Sequence, residues 1–487
     1  MSARSDLGSL EASGLIQIAA LQPELEYLFR HALVQEAAYA SLLKQDRRSL
    51  HRAAADAILA LHPERERELA GVIAMHLEQS GEAARAAQYL LIAGEQALQQ
   101  FANREAIAFY VRAGQLADDS QVDLKLQSAI GAARAGWAFN TSDVDVERLE
   151  QALPGAETAD QVLVAETYFW IAFLRRQRGE LPDSSPELAD ALARGTEISK
   201  TAGDVTAAAL PRALMGAFAA FMGNLRQGTE EMSAALDLIE AKGDAVSIAM
   251  VSDFLAMAYA RLGEFAAAEK TIGRAERIAG ESDAIARVDV EIARSSLDLE
   301  RGEAAKASVQ ARECSERAES LGAYACVVAA NVMRGAASLA CQDAPAAKVP
   351  LERGNELSLV TNMGAMRTLT QGMLGSTLAQ LGDMPGGVAE WNAALAGARG
   401  MGDRYGEATT LWGRGRTLAG QKDWKTALPD IDRAVHLFEE MEARPALARA
   451  LRNRAETLRG LGRAHEAADD ERRSTELATL LGLIDLA

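Results

Sequence analysis

The stretch Leu255–Ile278, LAMAYARLGEFAAAEKTIGRAERI, decides the fold of this chain. It contains two helical segments on either side of a glycine turn at Gly263. Small residues stand seven positions before this turn, at Ala256, and five positions after it, at Ala268. Residues without bulk allow two antiparallel helices to approach closely. The stretch therefore predicts a helix hairpin.

The same pattern recurs along the second half of the chain at intervals of 39 or 40 residues. The turn falls at Gly223, Gly263, Gly302, Gln342, Gly382, Lys422 and Gly462. Seven positions before the turn stand Gly216, Ala256, Ser295, Gly335, Gly375, Gly415 and Ala455. Five positions after it stand Gly228, Ala268, Ala307, Ala347, Gly387, Ala427 and Ala467, and twelve after it Ala235, Ala275, Cys314, Gly354, Ala394, Ala434 and Ser474. This regularity identifies an internal repeat, which accounts for a chain of 487 residues without several unrelated domains.

The spacing of these small residues resembles that of the tetratricopeptide repeat (TPR). Tyr259, Gly263, Ala268 and Ala275 fall on the signature positions of that family. The resemblance implies an all-α fold, a TPR-like right-handed α-solenoid of helix hairpins. TPR units usually run about 34 residues, so we expect the additional residues of each repeat to lengthen its helices or its loops.

The first fifty residues differ from the repeats. A short helix over Leu7–Gly14 is followed by two extended runs, Leu15–Ala20 and Glu24–Phe29, and a further helix runs from Arg30 past Leu43. This order of helix, two-stranded wing and helix predicts a partial winged-helix segment.

The chain is therefore predicted to have three parts. Residues 1–50 form the partial winged-helix segment. Residues 51–200 form irregular helical repeats, because the small residues there follow a looser register. Residues 201–487 form regular TPR-like repeats of about 40 residues.

The N-terminal segment carries a second resemblance. The string YLFRHALVQEAAYASLL at residues 27–43, followed by Arg47-Arg48 and Leu50-His51, resembles the junction of winged helix and TPR array in signal-transducing ATPases with numerous domains (STAND). Such regions occur fused to bacterial class III adenylate or guanylate cyclases and to AAA-type ATPase regulators. The resemblance extends over residues 7–117.

Phe29, His31, Gln35 and Glu36 are also similar to a winged-helix motif of nucleotide-binding regulators of innate immunity. In that group the histidine reaches the β-phosphate of bound ADP, so the resemblance implies that His31 senses nucleotide. No GxxxxGK[ST] phosphate-binding loop occurs in this chain, and the nearest stretch, GNLRQGT at residues 223–229, lacks the lysine that reaches the phosphates. The alternative is that His31 packs within the winged-helix segment.

Composition and motifs exclude several functions. A formal net charge of −18 repels a phosphate backbone, so we expect no nucleic-acid partner. Neither a signal peptide nor an apolar run long enough for a membrane span is present, so we expect a cytoplasmic protein without membrane contact.

The histidines lack metal-ligand spacing and nucleophile motifs are absent, so we expect no metal, no cofactor and no enzyme activity. The cysteines, without CxxC spacing, are expected to be buried small apolar residues: Cys314, Cys326 and Cys341.

In the geometry that the TPR resemblance implies, the first helix of each hairpin lines the concave surface. Counting back ten and six residues from the turn at Lys422 places Trp412 and Arg416 there, and ten from Gly462 places Arg452. A tryptophan with two arginines would hold an anionic or aromatic ligand through stacking and bidentate hydrogen bonds. The alternative is that Trp412 fills space between hairpins and both arginines are solvated.

In earlier repeats, the positions ten and six residues before the turn hold mostly small or apolar residues. These residues are Asp253 with Met257, Ile292 with Ser296, and Val332 with Ala336. Part of the groove is therefore expected to be covered or to accept an apolar partner.

The leading hypothesis is a protein- or ligand-binding scaffold, the sensor arm of a STAND-type signalling ATPase regulator. A protein or small effector in the concave groove would then shift a nucleotide-controlled equilibrium of an ATPase or cyclase domain encoded upstream. Because the chain starts midway through the winged helix, we expect a truncated or split product. Two alternatives remain open, a C-terminal fragment of an adenylate or guanylate cyclase–ATPase polypeptide and a free-standing TPR adaptor.

Overall fold

The computed structural model separates into two compact units. Unit 1 comprises Met1–Ala93 and Gln115–Asp118, and unit 2 comprises Gly94–Gly114 and Asp119–Ala487. The structure describes residues 3–20, 26–100, 102–136, 143–177, 186–202, 209–242, 245–279, 284–361 and 363–485. These residues form 24 α-helices, two strands and two short 3-10 turns. The expected all-α, TPR-like solenoid is confirmed, with only a small two-stranded sheet beside the helices.

Unit 1 begins with a helix, two paired strands and a helix. Its elements are α1 (Ala3–Ala12), β1 (Ile16–Ala20), β2 (Glu26–Phe29), α2 (Ala32–Ser41), α3 (Lys44–Leu61), α4 (Ala70–Ser80) and the start of α5 (Ala83–Gln99). The strands are antiparallel, with Ile16 opposite Phe29 and Gln17 opposite Leu28. This element order agrees with the order expected from the sequence, except that the helix expected to continue past Leu43 ends at Ser41, because Leu42 and Leu43 adopt an extended backbone before α3 begins. Residues 24 and 25 of the second extended run lie outside the described residues.

The core of unit 1 is small and a large apolar surface remains outside it. Ala55, Ile73, Leu77 and Ala86 are buried together. Between residues 10 and 61, the exposed large apolar side chains, which we call the unit 1 apolar surface, are Leu10, Leu15, Ile18, Leu28, Phe29, Leu33, Tyr39, Leu43, Leu50 and Leu61. So many exposed apolar side chains in one part of a chain are typical of an interaction surface.

Unit 2 is built from helices that pack with their sequence neighbours. It contains the end of α5, most of α6 (Asn103–Leu116), α7 (Val122–Gly136), α8 (Asp143–Ala152), α9 (Gln161–Gln177), α10 (Pro186–Ala202), α11 (Ala209–Phe221), α12 (Leu225–Lys242), α13 (Ala245–Leu262), α14 (Phe265–Ala279), α15 (Ala284–Arg301), α16 (Ala304–Leu321), α17 (Tyr324–Ala340), α18 (Ala344–Val360), α19 (Gly364–Gln380), α20 (Met384–Met401), α21 (Arg404–Gly420), α22 (Trp424–Glu440), α23 (Arg444–Gly460) and α24 (Ala464–Leu481). From α17 onward each helix has 17 or 18 residues. The residues beyond a 34-residue unit therefore lengthen the helices.

The predicted hairpin turns coincide with a left-handed backbone conformation. All seven turn residues have a positive φ, from 59° at Gln342 to 104° at Gly223. Glycine adopts this conformation without steric cost, whereas Gln342 and Lys422 adopt it with a side chain. The repeat register read from the sequence is therefore confirmed at each of these turns.

Small residues let the two helices of a hairpin touch. A β-carbon at Gly375 would lie 2.9 Å from the carbonyl oxygen of Gly387, and one at Gly387 would lie 2.7 Å from that of Gly375. Such distances are shorter than real β-carbon contacts, so only glycine fits at both positions. The positions twelve after the turn are buried in every hairpin, including Cys314. Cys326 is also buried, but Cys341 is exposed at the C-terminal cap of α17, so the expected burial is wrong for Cys341.

Hairpins that are distant in sequence touch within unit 2. The backbone amide of Arg404 donates to the carbonyl oxygen of Met222 at 3.2 Å. One repeat further along, the Arg444 Nε donates to the carbonyl oxygen of Leu262 at 2.7 Å. Helix α23 also packs against α13 and α15. Successive turns of the superhelix of unit 2 are therefore in contact.

Candidate binding cavity

Two adjoining cavities lie inside the superhelix of unit 2. The larger has a volume of about 170 Å³ and the smaller about 120 Å³. Both are lined by Arg261, Val332, Met333 and Leu369, so they share a boundary. We call the larger one the arginine chamber and the smaller one the methionine chamber, after the residues that characterise them.

The first helices of the hairpins supply most of the lining. Helix α13 contributes Asp253, Met257 and Arg261, which follow one another at steps of four residues. Helix α21 contributes Trp412 and Arg416 at the same step. Residues four apart lie on one face of a helix, so each of these helices turns one continuous face toward the interior.

The arginine chamber contains an ion pair between Arg449 and Glu300 in which both terminal nitrogens of the arginine are hydrogen-bonded. Arg449, 7% exposed, donates from Nη1 to the Glu300 Oε2 at 3.1 Å. Its Nη2 donates to the carbonyl oxygens of Leu299 and Glu300, both at 2.8 Å. The Tyr405 hydroxyl donates to the Glu300 Oε1 at 3.4 Å, and burial raises the pKa of Tyr405, so this hydroxyl stays protonated. Arg449 and Glu300 therefore compensate each other.

Two further arginines face the chamber without a hydrogen-bonded carboxylate, although the positive charge of Arg261 favours the ionised form of the nearby buried Asp403. The Arg261 guanidinium, 8% exposed, lies 4.0 Å from the centre of the Tyr405 ring and 5.1 Å from that of Phe221. Arg416 lies 5.3 Å from the centre of the Trp412 ring. Among the described residues, neither guanidinium has a hydrogen-bond or ion-pair partner. Burial, followed by the nearby charge of Arg449, lowers the pKa of Arg416.

The formal charges that line the arginine chamber sum to an excess of one positive charge. The cations are Arg261, Arg416 and Arg449, and the carboxylates are Glu300 and Asp485. Because Glu300 is paired with Arg449, the excess lies on Arg416 and on Arg261, and Asp403 offsets part of the charge of Arg261.

The methionine chamber is lined mainly by flexible and aromatic apolar side chains. They are Met222, Met250, Met257, Met333, Met363 and Met366, with Phe173, Phe218, Phe221 and Phe254. Methionine is unbranched and polarisable, and it adapts to irregular apolar ligands. This chamber can therefore accept an apolar group without a single fixed shape.

Three carboxylates line the methionine chamber, those of Asp253, Asp289 and Asp403. Asp403 accepts hydrogen bonds from the Gly406 amide at 2.7 Å and the Thr368 hydroxyl at 3.3 Å, and burial raises its pKa to about 6. The thiol of Cys326 donates to Asp289 at 3.3 Å. Asp403 is engaged in capping α21, so its carboxylate has a structural role.

The structure brings most of the predicted groove residues to these cavities. Trp412, Arg416, Ser296 and Ala336 line the arginine chamber. Val332 lines both chambers. The other three predicted residues, Asp253, Met257 and Ile292, line the methionine chamber.

Arg452 is the groove candidate that the structure does not bring to either cavity. Its side chain is 49% exposed and faces Glu456 at 3.9 Å, one helical turn further along. Helix α23 reaches the arginine chamber earlier, through Ala446 and Arg449. Counting ten residues back from the turn assumes that the same position of every first helix lines the interior. This assumption is wrong for α23.

His31 lies in unit 1, at the N-terminal cap of α2. Its side chain is exposed and makes no capping hydrogen bond, whereas its carbonyl oxygen accepts from the amide of Val34 at 3.0 Å. The alternative, that His31 packs within this segment, therefore does not agree with its exposure.

The residues of the arginine chamber that the sequence did not predict include Arg261, Glu300, Tyr405 and Arg449. Arg261 had a signal in the sequence, because one more step of four residues along α13 from Met257 leads to it. The other three face the interior because distant parts of unit 2 meet, as the Tyr405–Glu300 hydrogen bond shows. No local pattern indicates such a contact.

Within the described part of the chain, no group of three or more His, Cys, Asp or Glu side chains is arranged to hold a metal ion. In the same part, none of the helices combines the length and the apolar character that a membrane span requires.

Comparison with solved structures identifies the fold. A Rap protein complexed with Competence and Sporulation Factor is similar with a TM-score of 0.55 and 16% identity, over 75% of this chain and 99% of that one. A Rap conjugation gene regulator in complex with the Phr* peptide has a TM-score of 0.49 and 11% identity, over 74% and 96% of the two chains. The Cut9–Hcn1 tetramer of the APC/C has a TM-score of 0.47 and 15% identity, over 91% and 89%.

No family model matches the chain, and no curated protein matches it in sequence. The likeness to the first Rap protein is one of fold, that of a helical repeat protein. Within this fold, unit 2 carries the arginine and methionine chambers described above.

Proposed function

We propose that this chain is a binding module in which a protein segment or small effector occupies the two chambers of unit 2. The observation that carries the proposal is the cavity itself, because the first helices bring together Arg261 and Arg416, which have no hydrogen-bonded carboxylate among the described residues. Packed interiors normally pair such groups. A repeat scaffold of this kind binds ligands on the inner face of its hairpins, and the Rap protein of similar fold was solved with Competence and Sporulation Factor bound.

Recovery of a bound molecule from the native cell tests this proposal. We expect the full-length protein, purified from its own cells, to retain a ligand detectable by mass spectrometry after denaturation. Ala336→Leu fills the arginine chamber from α17 and should abolish retention. Ala305→Leu, at an exposed position of α16, is the matched control and should retain it. Equal retention by the two variants, or no bound molecule in the unmodified protein, contradicts the proposal.

We further propose that the module is the sensor arm of a STAND-type signalling ATPase regulator. The resemblance of residues 27–43 supports this context, and so does the unit 1 apolar surface, which offers a docking area for an ATPase or cyclase domain. By the same resemblance, the exposed His31 would sense the nucleotide held by that domain.

Co-expression with the region encoded immediately upstream tests this context. If that region contains a phosphate-binding loop, we expect it to co-purify with this chain, and Leu33→Glu with Leu43→Glu on the unit 1 apolar surface should prevent the association. Leu480→Glu, an equally exposed leucine of α24, should have no effect. Absence of a phosphate-binding loop upstream favours instead a free-standing TPR adaptor.

The second alternative is that the chain is the C-terminal fragment of an adenylate or guanylate cyclase–ATPase polypeptide. Cyclase activity would belong to another part of such a polypeptide. We expect this chain alone to form no cyclic AMP and to bind no nucleotide, and an assay of both separates the binding module from an enzyme.

A further inference from the structure

We infer that the two chambers bind one amphipathic anion, a small carboxylic acid whose acid group lies between Arg261 and Arg416 and whose apolar body extends into the methionine chamber. This inference rests on the proposed function and names the chemical class of its ligand.

The charge of the arginine chamber selects an anion. A buried guanidinium without a partner loses the hydration of its charge, and contact with aromatic rings offsets only part of that loss. Arg261 is 8% exposed and stacks on Tyr405, and Arg416 stacks on Trp412. A carboxylate is the group that a guanidinium binds in a bidentate way. Both arginines are therefore arranged to receive an acid group from outside the protein.

Arg449 positions the site and does not itself bind the acid group. Its Nη1 and Nη2 are already occupied by the Glu300 carboxylate and by two carbonyl oxygens. Its charge lies close enough to Arg416 to disfavour the protonated form of that residue. An anion between the other two arginines relieves this repulsion.

Trp412 forms a rigid wall beside the acid site. Its Nε1 donates to the Asn453 Oδ1 at 2.7 Å, and its ring stands edge-on to Phe438 with centres 6.3 Å apart. The ring is thus fixed from two sides, and Arg416 rests on it. A fixed platform holds the guanidinium in place before the ligand arrives, which lowers the entropic cost of binding.

The apolar part of the ligand follows from the shared boundary of the chambers. Arg261, Val332 and Met333 line both cavities, so a molecule bound at Arg261 can reach into the methionine chamber directly. Six methionines there provide an adaptable apolar surface. The three aspartates that line the methionine chamber would favour a cation, but Arg416 and Arg261 would repel a cation from the larger chamber. The experiment includes a cationic probe for this reason.

Calorimetric titration of the full chain with three probes of equal chain length tests the inference. Decanoate should bind at one site. The affinity for 1-decanol should be lower by about tenfold or more, and the affinity for decylammonium should be lower still. Arg416→Met and Arg261→Met keep the apolar stems and remove the charge, so each should weaken decanoate binding about tenfold or more and leave 1-decanol unchanged. Decanoate should also change the fluorescence of the unmodified protein, with a smaller change in Trp412→Phe.

Arg452→Met is the matched control, because Arg452 is an arginine of α23 outside both cavities. It should bind decanoate like the unmodified protein. Circular dichroism and the melting temperature establish whether each variant is folded. If Arg261→Met does not fold, Arg261→Lys replaces it. The Arg261→Lys variant should still bind decanoate, but more weakly, because lysine lacks the bidentate geometry.

Equal affinity for decanoate and 1-decanol overturns the inference but leaves a cavity that binds ligands, as the proposed function requires. Unchanged decanoate binding in a folded Arg416→Met variant also overturns it. So does the absence of decanoate binding, whereas the proposed function is then decided separately by whether a molecule is retained from native cells.

Discussion

The guanidinium of Arg444 donates a hydrogen bond of 2.7 Å to the carbonyl oxygen of Leu262, although 182 residues separate the two in the chain. Leu262 is the last residue of α13, and Arg444 is the first of α23. The carbonyl groups at the end of a helix have no partner within it. Arg444 satisfies one of them from the next turn of the superhelix, and the amide of Arg404 does the same for Met222.

Removal of the Arg449 side chain should destabilise unit 2 strongly. Arg449→Met leaves the buried Glu300 carboxylate without its cation and two carbonyl oxygens without a donor. Loss of one partner of a buried ion pair typically lowers the free energy of unfolding by about 3 kcal/mol or more. Chemical denaturation followed by circular dichroism measures the change.

Arg452→Met on the same helix is the control for that substitution. Its ion pair with Glu456 is half exposed, so we expect a change below about 0.5 kcal/mol. A loss of equal size in both variants would mean that the Arg449–Glu300 pair contributes nothing specific.

Lys422→Gly should stabilise the protein. Lys422 adopts a φ of 66° at the turn between α21 and α22, where a side chain costs about 1 kcal/mol. Gly382→Ala introduces the same cost at a φ of 95°, and its β-carbon would meet nothing within 4 Å, so only the backbone is affected. Melting temperatures should therefore move in opposite directions in the two variants, and movement in the same direction contradicts the assignment of strain to the backbone.

Gly375→Ala should destabilise the α19/α20 hairpin by about 1–3 kcal/mol, because the new β-carbon meets the Trp391 ring at 2.6 Å and the Gly387 carbonyl at 2.9 Å. Gly400→Ala on α20 has no atom within 4 Å of its β-carbon. That substitution should stabilise the helix by about 0.5–1 kcal/mol. Denaturation of both variants measures the difference, and a neutral Gly375→Ala variant would show that the two helices can separate freely.

Asp403 should make the stability of unit 2 depend on pH. Burial raises its pKa from 3.8 to about 6 in the folded protein, so the folded state binds the proton more tightly than the unfolded state. The contribution of Asp403 to stability therefore falls as the pH rises from about 4 to about 6. Asp403→Asn removes this contribution. Between about pH 4.5 and pH 7, the free energy of unfolding should therefore decrease in both proteins by different amounts, and the decrease should be roughly 2 kcal/mol smaller in the variant than in the unmodified protein. Parallel pH profiles would contradict this prediction.

The hairpins could be predicted from the sequence because their determinants are local. Gly375 and Gly387 lie within one hairpin, and the turn at Gly382 between them needs a left-handed residue. Both requirements repeat at a fixed interval and remain visible in a single sequence. The placement of Trp412 and Arg416 on the interior follows from the same local register.

The contacts between superhelical turns could not be predicted in this way. The meeting of Arg444 with Leu262 depends on the rotation from each hairpin to the next, which accumulates over many units. A small error in that rotation displaces the last helices, and for this reason the local register predicts Arg452 at the interior instead of Arg449. The ion pair of Arg449 with Glu300 is a consequence of the same long-range closure.

The hydrogen bond between Arg444 and Leu262 also fixes the number of hairpins between α13 and α23. Open solenoids can gain or lose units during evolution, since each unit touches only its neighbours. In this protein the duplication of one hairpin between α14 and α23 would bring a different residue opposite Leu262 and leave its carbonyl group without Arg444. We therefore expect relatives that preserve this hydrogen bond to differ in their loops and termini but to keep the same number of hairpins between α13 and α23.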